Sequence, residues 1–343
     1  MARQRIISGE HDEREDQAIQ SLRPSNLDEY IGQPKLIERL CITLEAVKQR
    51  SEPMEHVLLH GPPGLGKTTL GHIIANEMGT HLTLTSGPAL TRPTDLVGTL
   101  TKLQAGDVLF IDEIHRLSPI VEEYIYPAME DFKIDITLDS GMHAKTITMP
   151  LKPFCLIGAT TRAGLLSGPM RSRFGITHNF DFYSHDELLS ILRRSANLLD
   201  IGVDSGDALG TIAQRSRGTP RIANRLLRRV RDFSQVRADG VLSPKVIDQA
   251  LSLEGVDDLG LDDLDRKYLG AIADVYRGGP VGLEAIAATL GEDSGTLEDV
   301  VEPYLLQIGF LARTRKGRQL TRAAANHLGL KLDSQKQSEL FGS

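Results

Sequence analysis

Short, continuous apolar runs alternate with longer segments of helical spacing in the first half of the chain. The runs that predict strands lie at residues 56–59, 81–85, 108–111 and 154–159. The segments that predict helices lie at residues 35–49 and 68–78 and from about residue 94. Strands that are apolar along their whole length and alternate with helices are typical of a parallel sheet covered on both faces. We therefore predict an α/β domain.

After Phe180 the pattern becomes helical, and it predicts two further domains. The predicted helices of the first lie at residues 186–199, 207–215, 220–238 and 244–251. Those of the second lie at residues 262–276, 282–290 and 294–307, followed by a hairpin-like segment at 310–321. Three helices followed by two short strands are typical of a winged helix-turn-helix. The predicted parts are a flexible arm at 1–20, a large α/β domain at 21–181, a small all-α domain at 182–255, a winged helix at 256–334 and a disordered tail at 335–343.

One segment of the α/β domain has a different pattern. Residues 133–149 alternate apolar and polar positions on both sides of a Ser140-Gly141 turn, which predicts a β-hairpin. A hairpin that projects from a parallel sheet contributes little to the sheet itself. This favours a role outside the stability of the domain.

The composition narrows the class of protein. Hydrophobic residues make up 40% and charged residues 25% of the chain, which is typical of globular domains. Neither a membrane span nor the apolar core of a secretory signal is present in the sequence, so we expect a cytoplasmic protein with no membrane partner. Cys41 and Cys155 lack neighbours at metal-ligand spacing, which favours buried, reduced thiols over a zinc site.

The net charge of −7 does not by itself indicate a nucleic-acid partner, and the distribution of charge along the chain matters more than the sum. Residues 209–231 carry seven arginines and no acid, and residues 303–332 carry six basic residues and no acid. These two segments are the candidates for contacts with phosphate groups.

Residues 61–69 read GPPGLGKTT and lie between a predicted strand and a predicted helix. They fit the pattern G-x-x-x-x-G-K-[ST], with Gly61, Gly66, Lys67 and Thr68 at its fixed positions. The glycines let backbone N–H groups turn toward phosphate oxygens, the lysine charge faces the β- and γ-phosphates, and the threonine hydroxyl ligates Mg²⁺. A plain glycine turn is the alternative, but the flanking strand and helix favour binding of ATP and Mg²⁺.

Polar residues follow the last two of the four predicted strands. Asp112 comes at the end of a buried strand, where open α/β sheets place ligand groups, and it is predicted to hold Mg²⁺ through water. Glu113 is then placed to act as the general base of hydrolysis. Without the P-loop, the pair would be interpreted as a solvated strand end. Thr160 and Thr161 end the other strand, and we favour Thr161 as the group that orients the water, although threonine is also an ordinary β-former.

The segment RSRFG closes the α/β domain and contains Arg171 and Arg173. One of these arginines could reach the γ-phosphate of a neighbouring subunit as an arginine finger. A surface ion pair explains the same residues equally well. The residues alone leave both interpretations open.

Five segments, GPPGLGKT, LFIDEIH, GATTR, RSRFG and GTPR, resemble the AAA+ ATPases in their order and spacing. Longer segments, among them SLRPSNLDEYIGQ, TSGPAL, IGATTRAGLLS and RGTPRIANRLLRRVRDF, resemble the RuvB family of bacterial motors from about residue 20 to 330. One position, Tyr126 in IYPAMED, departs from the aliphatic residue usual in that family. The resemblance implies a P-loop AAA+ domain with a parallel sheet, a small all-α lid and a C-terminal winged helix.

The resemblance also implies a function. The protein would form a homohexameric ring on duplex DNA and use ATP to drive branch migration of Holliday junctions in recombination and repair. A RuvA-like junction-binding protein would bind the hairpin at 133–149, whose apolar residues would otherwise be exposed to water. A RuvC-like resolvase would be a further partner.

Site residues follow from the same resemblance. The predicted catalytic residues are Lys67, Asp112, Glu113, Thr161, Arg173 as the finger and Arg221 of GTPR as a second sensor. The predicted nucleotide contacts are Leu22, Arg23, Tyr30, Ile31, Gly61, Gly64, Leu65, Gly66, Lys67, Thr68, Thr69, Glu130, Asp131, Phe132, Arg173, Tyr183 and Arg221. Thr68 and Asp112 would hold the Mg²⁺ ion. Arg313 and Arg318 of the wing would contact DNA phosphates, although composition alone also allows a solvated turn.

Two other functions are consistent with parts of the sequence. A clamp-loader or assembly-factor ATPase would share the P-loop but would need no basic wing. A DNA-binding regulator with an inactive ATPase would keep the wing, but every predicted catalytic position of this chain is filled. Salt-dependent DNA affinity of the wing distinguishes the motor from the assembly factor.

Overall fold

A five-stranded parallel sheet forms the centre of the first of two units in the chain. A computed structural model describes residues 22–50, 52–137, 146–204 and 208–329, and the two units divide after Tyr183. The elements of the first unit are α1 (Pro34–Arg50), β1 (Val57–His60), α2 (Lys67–Met78), β2 (Leu82–Ser86), α3 (Pro93–Leu100), β3 (Val108–Asp112), α4 (Pro119–Glu130), β4 (Lys133–Thr137), β5 (Thr146–Pro150), β6 (Cys155–Thr160), α5 (Gly168–Ser172) and β7 (Ile176–Asn179). The parallel α/β sheet predicted from the apolar runs is confirmed.

The sheet has the strand order β2-β3-β6-β1-β7. The central strands β3 and β6 are apolar and buried along almost their whole length, which is why their sequences predict them. β7 reads ITHN and lies at the edge beside β1, and its mixed sequence gave no strand signal. Short edge strands with polar side chains are usual in natural sheets, because they discourage pairing with another chain.

Helix α2 approaches the sheet closely at Gly71. A Cβ atom at this position would lie 2.6 Å from the ring of Phe110 in β3, and that ring is fully buried. The missing side chain therefore lets the helix that follows the P-loop lie directly on the sheet. The phosphate-binding loop therefore begins at the buried strand β1 and ends at a helix that packs on the same sheet.

Strands β4 and β5 form the predicted antiparallel hairpin between α4 and β6. Their register pairs Ile134 with Met149, and the predicted turn lies outside the described residues. The expectation that the apolar arm residues are exposed is wrong for Ile134, which belongs to the hydrophobic core of the unit. Ile147 is exposed, with a relative exposure of 42%. The base of the hairpin is thus anchored in the core, because β4 follows α4 directly.

The second unit contains a helical part and a winged-helix part. The elements of the helical part are α6 (His185–Leu198), β8 (Gly202–Val203), α7 (Ala208–Gln214), α8 (Pro220–Arg237), β9 (Val241–Leu242) and α9 (Pro244–Leu253). A capping box at Ser184 and Glu187 starts α6. The predicted helices are confirmed, and the two-residue strands β8 and β9 form a short parallel pair beside them.

The winged-helix part has its own hydrophobic core. Its elements are α10 (Asp263–Gly270, continued by a π-helical turn Ala271–Val275), α11 (Leu283–Leu290), α12 (the consecutive segments Ser294–Thr296, Leu297–Val301 and Glu302–Gln307), β10 (Leu311–Thr314), β11 (Gly317–Leu320) and α13 (Arg322–His327). β10 and β11 pair antiparallel, with Arg313 opposite Arg318. Val281 forms an isolated antiparallel bridge to Arg318 beside this two-stranded wing.

A buried arginine joins the two parts of the second unit. Arg217 lies between α7 and α8, is 3% exposed, and forms an ion pair with the fully buried Asp265 of α10. Its Nε also donates to the carbonyl of Gly260 at 2.7 Å, and its guanidinium lies 5.3 Å from the ring centre of Tyr304. These three partners of its side chain belong to the winged-helix part.

Membrane spans and metal clusters are not found in the described ranges. No helix there is long and apolar enough to cross a bilayer, and no group of three His, Cys, Asp or Glu side chains is placed to hold a metal ion. Cys155 is buried, and burial raises its pKa to about 12. Cys41 is half-buried.

We predict opposite effects of alanine at two helical glycines. Gly71→Ala should lower the free energy of unfolding by about 1–3 kcal/mol, because its Cβ would overlap the Phe110 ring. Gly98→Ala in α3 meets no atom within 4 Å and should raise it by about 0.5–1 kcal/mol through helix propensity. Urea unfolding measures both, and equal effects would contradict the close approach of α2 to the sheet.

Candidate functional site

The phosphate-binding loop connects β1 to α2. Gly66 begins the helix with a φ of 103°, a conformation that L-residues rarely adopt. Lys67 is 8% exposed, and its Nζ donates to the carbonyl oxygens of Gly61 and Pro62, each at 2.8 Å. Thr68 and Thr69 follow in the first turn of α2. The loop therefore brings backbone N–H groups, a lysine charge and two hydroxyls to one helix N-terminus.

Two tyrosines from distant segments meet beside this loop. The hydroxyls of Tyr30 and Tyr183 lie 2.9 Å apart, and Tyr183 donates to the carbonyl of Leu65 at 3.1 Å. A Cβ on Gly66 would lie 3.2 Å from the Tyr30 hydroxyl. Tyr30 and Tyr183, both predicted nucleotide contacts, are thus brought together at the P-loop.

Three further predicted nucleotide contacts, Leu22, Arg23 and Ile31, lie in the same segment of the chain as Tyr30. Leu22 is buried and Ile31 is half-buried. Burial, and secondly the charge of Arg23, lowers the pKa of His72 in α2. Gln33 is not among the predicted residues, but its amide exchanges two hydrogen bonds with the backbone of Asp181. Gln33 therefore fixes the Tyr30 segment to the chain just before Tyr183.

The acidic pair lies at the carboxyl end of β3. The Glu113 N–H donates to Oδ1 of Asp112 at 2.9 Å. Glu113 itself has a φ of 48°, a left-handed conformation that costs on the order of 1–3 kcal/mol in a residue with a side chain. Such strained residues are concentrated at functional sites. The strain falls on the predicted general base.

Glu113 belongs to a small polar cluster with His115 and the two threonines. Nδ1 of His115 lies 2.8 Å from the hydroxyl of Thr160 and 3.3 Å from Oε2 of Glu113. Thr160 is fully buried, and its hydroxyl also accepts the N–H of Arg162. The hydroxyl of Thr161, by contrast, donates to Oε2 of Glu113 at 3.5 Å. Thr160 therefore has a structural role, and Thr161 is the threonine that reaches the acid.

His115 is not among the predicted site residues. Its contact with Glu113 depends on the short 3₁₀ turn Ile114–Arg116 that follows β3, and the sequence pattern does not predict that turn. The one sequence signal for His115 is its position two residues after Glu113 in the segment Asp112-Glu113-Ile114-His115.

Arg173 and Glu130 form an ion pair at 3.1 Å. Both are predicted nucleotide contacts, and the structure brings them together within their own unit. The two following predicted contacts have other partners, since Asp131 pairs with Lys133 at 2.8 Å and the Phe132 ring packs edge-on against Phe154. Phe132 is half-buried against the core of the unit.

Arg221 lies in the second unit, exposed in the first turn of α8. The helix begins with Pro220, a residue favoured at the first position because it lacks the N–H that has no partner there. Arg221 is four residues beyond Arg217, whose side chain is buried against the winged-helix part. The two arginines of one short segment therefore have different environments.

The wing arginines share a buried carboxylate. Glu302 is fully buried and accepts Nε of Arg313 at 2.7 Å, Nε of Arg318 at 2.8 Å and the hydroxyl of Tyr268 at 2.5 Å. Burial alone would raise the pKa of Glu302, but the hydrogen bonds from Arg318 and Tyr268 and the charge of Arg313 lower it. Glu302 and Tyr268 lie far from the wing in sequence and are not among the predicted residues. The arginine side chains remain 43% and 18% exposed.

Comparisons with known proteins match these parts one by one. The family described as the Holliday junction DNA helicase RuvB P-loop domain matches residues 22–180. The RuvB AAA lid domain matches residues 183–257, and the RuvB C-terminal winged helix domain matches residues 258–329. The chain belongs to the RuvB family.

Individual RuvB proteins are similar over almost the whole chain. The Holliday junction branch migration complex subunit RuvB of Desulfosudis oleivorans is 58% identical over 310 residues, which cover 90% of each chain. The structure of the Thermotoga maritima RuvB Holliday junction branch migration motor aligns with a TM-score of 0.84 at 51% identity, covering 91% of this chain and 100% of that one. A mutant of the same RuvB gives a TM-score of 0.85 at 52% identity, covering 91% and 99%. The predicted fold class of P-loop domain, lid and winged helix is confirmed.

We predict that the adjacent threonines of this RuvB-family site respond differently to valine. Thr160→Val should lower the free energy of unfolding by about 1–3 kcal/mol, because it leaves a buried hydrogen-bonding partner unsatisfied. Thr161→Val should change the free energy of unfolding by less than about 0.5 kcal/mol, as expected of a partly exposed position. Urea unfolding measures both, and a larger loss of stability at Thr161 would contradict these assignments.

Proposed function

We propose that this chain is an ATP-driven DNA motor that promotes branch migration of Holliday junctions in recombination and repair. It acts as a homohexameric ring on duplex DNA together with a RuvA-like junction-binding protein, in the cytoplasm. The observation that carries the proposal is the cluster at the end of β3, where Glu113 contacts both Thr161 and His115 next to a complete P-loop. A protein that only binds nucleotide needs no such cluster.

The P-loop fits ATP and Mg²⁺. The hydroxyl of Thr68 would bind the metal directly and the carboxylate of Asp112 would hold it through water, an all-oxygen set that suits Mg²⁺. Mg²⁺ bound there would neutralise charge on the β- and γ-phosphates. Backbone N–H groups from Gly64 to Thr69 would hold the phosphate oxygens, and Lys67 would exchange its two carbonyl partners for phosphate. Tyr30 and Tyr183 would close the pocket on the side of the base.

Hydrolysis requires a base, an orienting group and charge stabilisation. Glu113 takes the proton of the attacking water, and Thr161, within hydrogen-bonding reach of its carboxylate, orients that water. Arg173 of the neighbouring subunit stabilises the charge of the transition state. Arg221 reports the state of the γ-phosphate to the lid.

The substrate that the motor moves is duplex DNA, and the protein contacts it through the wing. Arg313 and Arg318 contact backbone phosphates, so recognition depends on the shape and charge of the duplex and not on its base sequence. The buried Glu302 holds both guanidiniums on one side of the wing. The hairpin formed by β4 and β5 binds the RuvA-like partner, and its tip lies outside the described residues. A RuvC-like resolvase is a further partner of the assembly.

We predict that Glu113→Gln separates ATP binding from hydrolysis. The variant should bind ATP normally and hydrolyse it about 10²–10⁴-fold more slowly, which is the usual contribution of a general base. Lys67→Ala serves as the comparison and should lose both properties. ATP-dependent conversion of a synthetic four-way junction, with and without the partner, should fail for both variants. Two results would contradict the proposed motor function. One is junction conversion by Glu113→Gln as fast as by the unmodified protein, and the other is no junction conversion by the unmodified protein in the presence of the partner.

The DNA contacts are tested by salt dependence. Arg313→Gln with Arg318→Gln would leave Glu302 without its two arginine partners, so both are introduced together with Glu302→Gln and compared with Glu302→Gln alone. Loss of two phosphate contacts should reduce the slope of log affinity against log salt by about 2. Arg237→Gln with Lys245→Gln, two exposed positions of the lid, is the control for charge. An unchanged slope would favour the clamp-loader or assembly-factor function.

A further inference from the structure

Arg173 is held by three groups of its own unit. Its Cζ lies 4.2 Å from the ring centre of Tyr126, one Nη lies 3.1 Å from Oε1 of Glu130, and the other donates to the carbonyl of Pro169 at 2.7 Å. Its Nε makes no hydrogen bond within the described residues, and only 19% of the side chain is exposed. A solvated surface arginine has many rotamers, whereas this one is restricted to a single arrangement.

The Tyr126 ring is itself fixed. Its hydroxyl donates to Oε2 of Glu122 at 2.6 Å, and the hydroxyl of Ser167 donates to the same oxygen at 2.8 Å. Burial, and secondly the hydrogen bond to Glu122, raises the pKa of Tyr126, so the phenol stays neutral. A neutral ring with a fixed orientation presents a stable, electron-rich face to a cation.

The two supporting segments are built for this contact. Glu122, Tyr126 and Glu130 are spaced four residues apart in α4, which places them on one face of the helix. Ser167 caps α5 by accepting the N–H of Met170, and Arg173 follows the last residue of that helix. The same cluster therefore fixes the start of α5 and the side chain at its end.

We propose that Tyr126 is a positioning residue for the arginine finger. Its ring holds the Arg173 guanidinium ready for the nucleotide of the neighbouring subunit, and this rests on the proposed function, in which Arg173 acts in trans. A guanidinium over an aromatic face keeps its in-plane N–H groups available for anions. Glu130, which is 55% exposed, takes one of these groups until phosphate replaces it.

Subunit mixing tests the proposal. Rings made only of Lys67→Ala subunits lack a working nucleotide site, and rings made only of Arg173→Ala subunits lack the finger. In mixed rings the Arg173→Ala subunit holds the nucleotide while the Lys67→Ala subunit donates the finger, so all ATPase activity arises at mixed interfaces. Tyr126→Leu is then introduced into one kind of subunit at a time.

Tyr126→Leu in the finger-donating subunit should lower kcat by about fivefold, in line with the strength of a partly buried cation–π contact, and leave KM for ATP unchanged. The same substitution in the nucleotide-holding subunit should have no effect, because that subunit lacks Arg173. Tyr126→Phe in the donor keeps the ring and should restore most of the activity. Thermal unfolding of each variant monitors the fold.

Each other outcome overturns a defined statement. Equal losses with Tyr126→Leu in either subunit, or no loss in the donor, would overturn the positioning role, and so would a loss with Tyr126→Phe as large as that with Tyr126→Leu. If rings of Lys67→Ala and Arg173→Ala subunits recover no activity at all, the trans finger itself is wrong. That result would overturn the proposed role of Arg173 separately from any effect at Tyr126.

Discussion

The whole nucleotide site depends on one geometric constraint, which is that the carboxyl ends of parallel strands meet at the same edge of a sheet. β1 and β3 both pair with β6, so the chain leaves three adjacent strands at that edge. Neighbouring strands lie about 4.8 Å apart. The P-loop, the acidic pair and the threonine pair are therefore brought together although they are far apart in sequence. Buried strands fix this edge, and α2 can lie directly on them because residue 71 has no side chain.

The sequence predicts those parts of the fold and site whose signal is local. Continuous apolar runs predict β3 and β6, and the P-loop is recognised from a fixed spacing of glycine, lysine and threonine. β7 is missed because an edge strand can be half polar. His115, Glu302 and Tyr126 become important only through partners that the tertiary fold supplies. No spacing along the chain encodes such contacts.

Several arginines that we propose to be functional are restrained by carboxylates and rings of their own unit. Arg173 has Glu130 and Tyr126, and the wing pair has the buried Glu302. A buried carboxylate is unfavourable unless it is paired and hydrogen-bonded, and Glu302 satisfies this condition through two guanidiniums and a phenol. Restraint of a long side chain before binding reduces the entropy that binding must remove.

The buried Arg217 has a mechanical consequence. It is fixed to Asp265 and Gly260 of the winged-helix part, while Arg221 lies four residues later at the start of α8. Separating the two parts means breaking a buried ion pair and the hydrogen bond of Arg217 to the Gly260 carbonyl. The segment between Arg217 and Arg221 is only three residues long, so it gives little freedom for α8 to rotate independently of the winged-helix part. Arg217 therefore couples the helical part to the winged-helix part, and we expect a rotation of the start of α8 at Arg221 to move the winged helix with it.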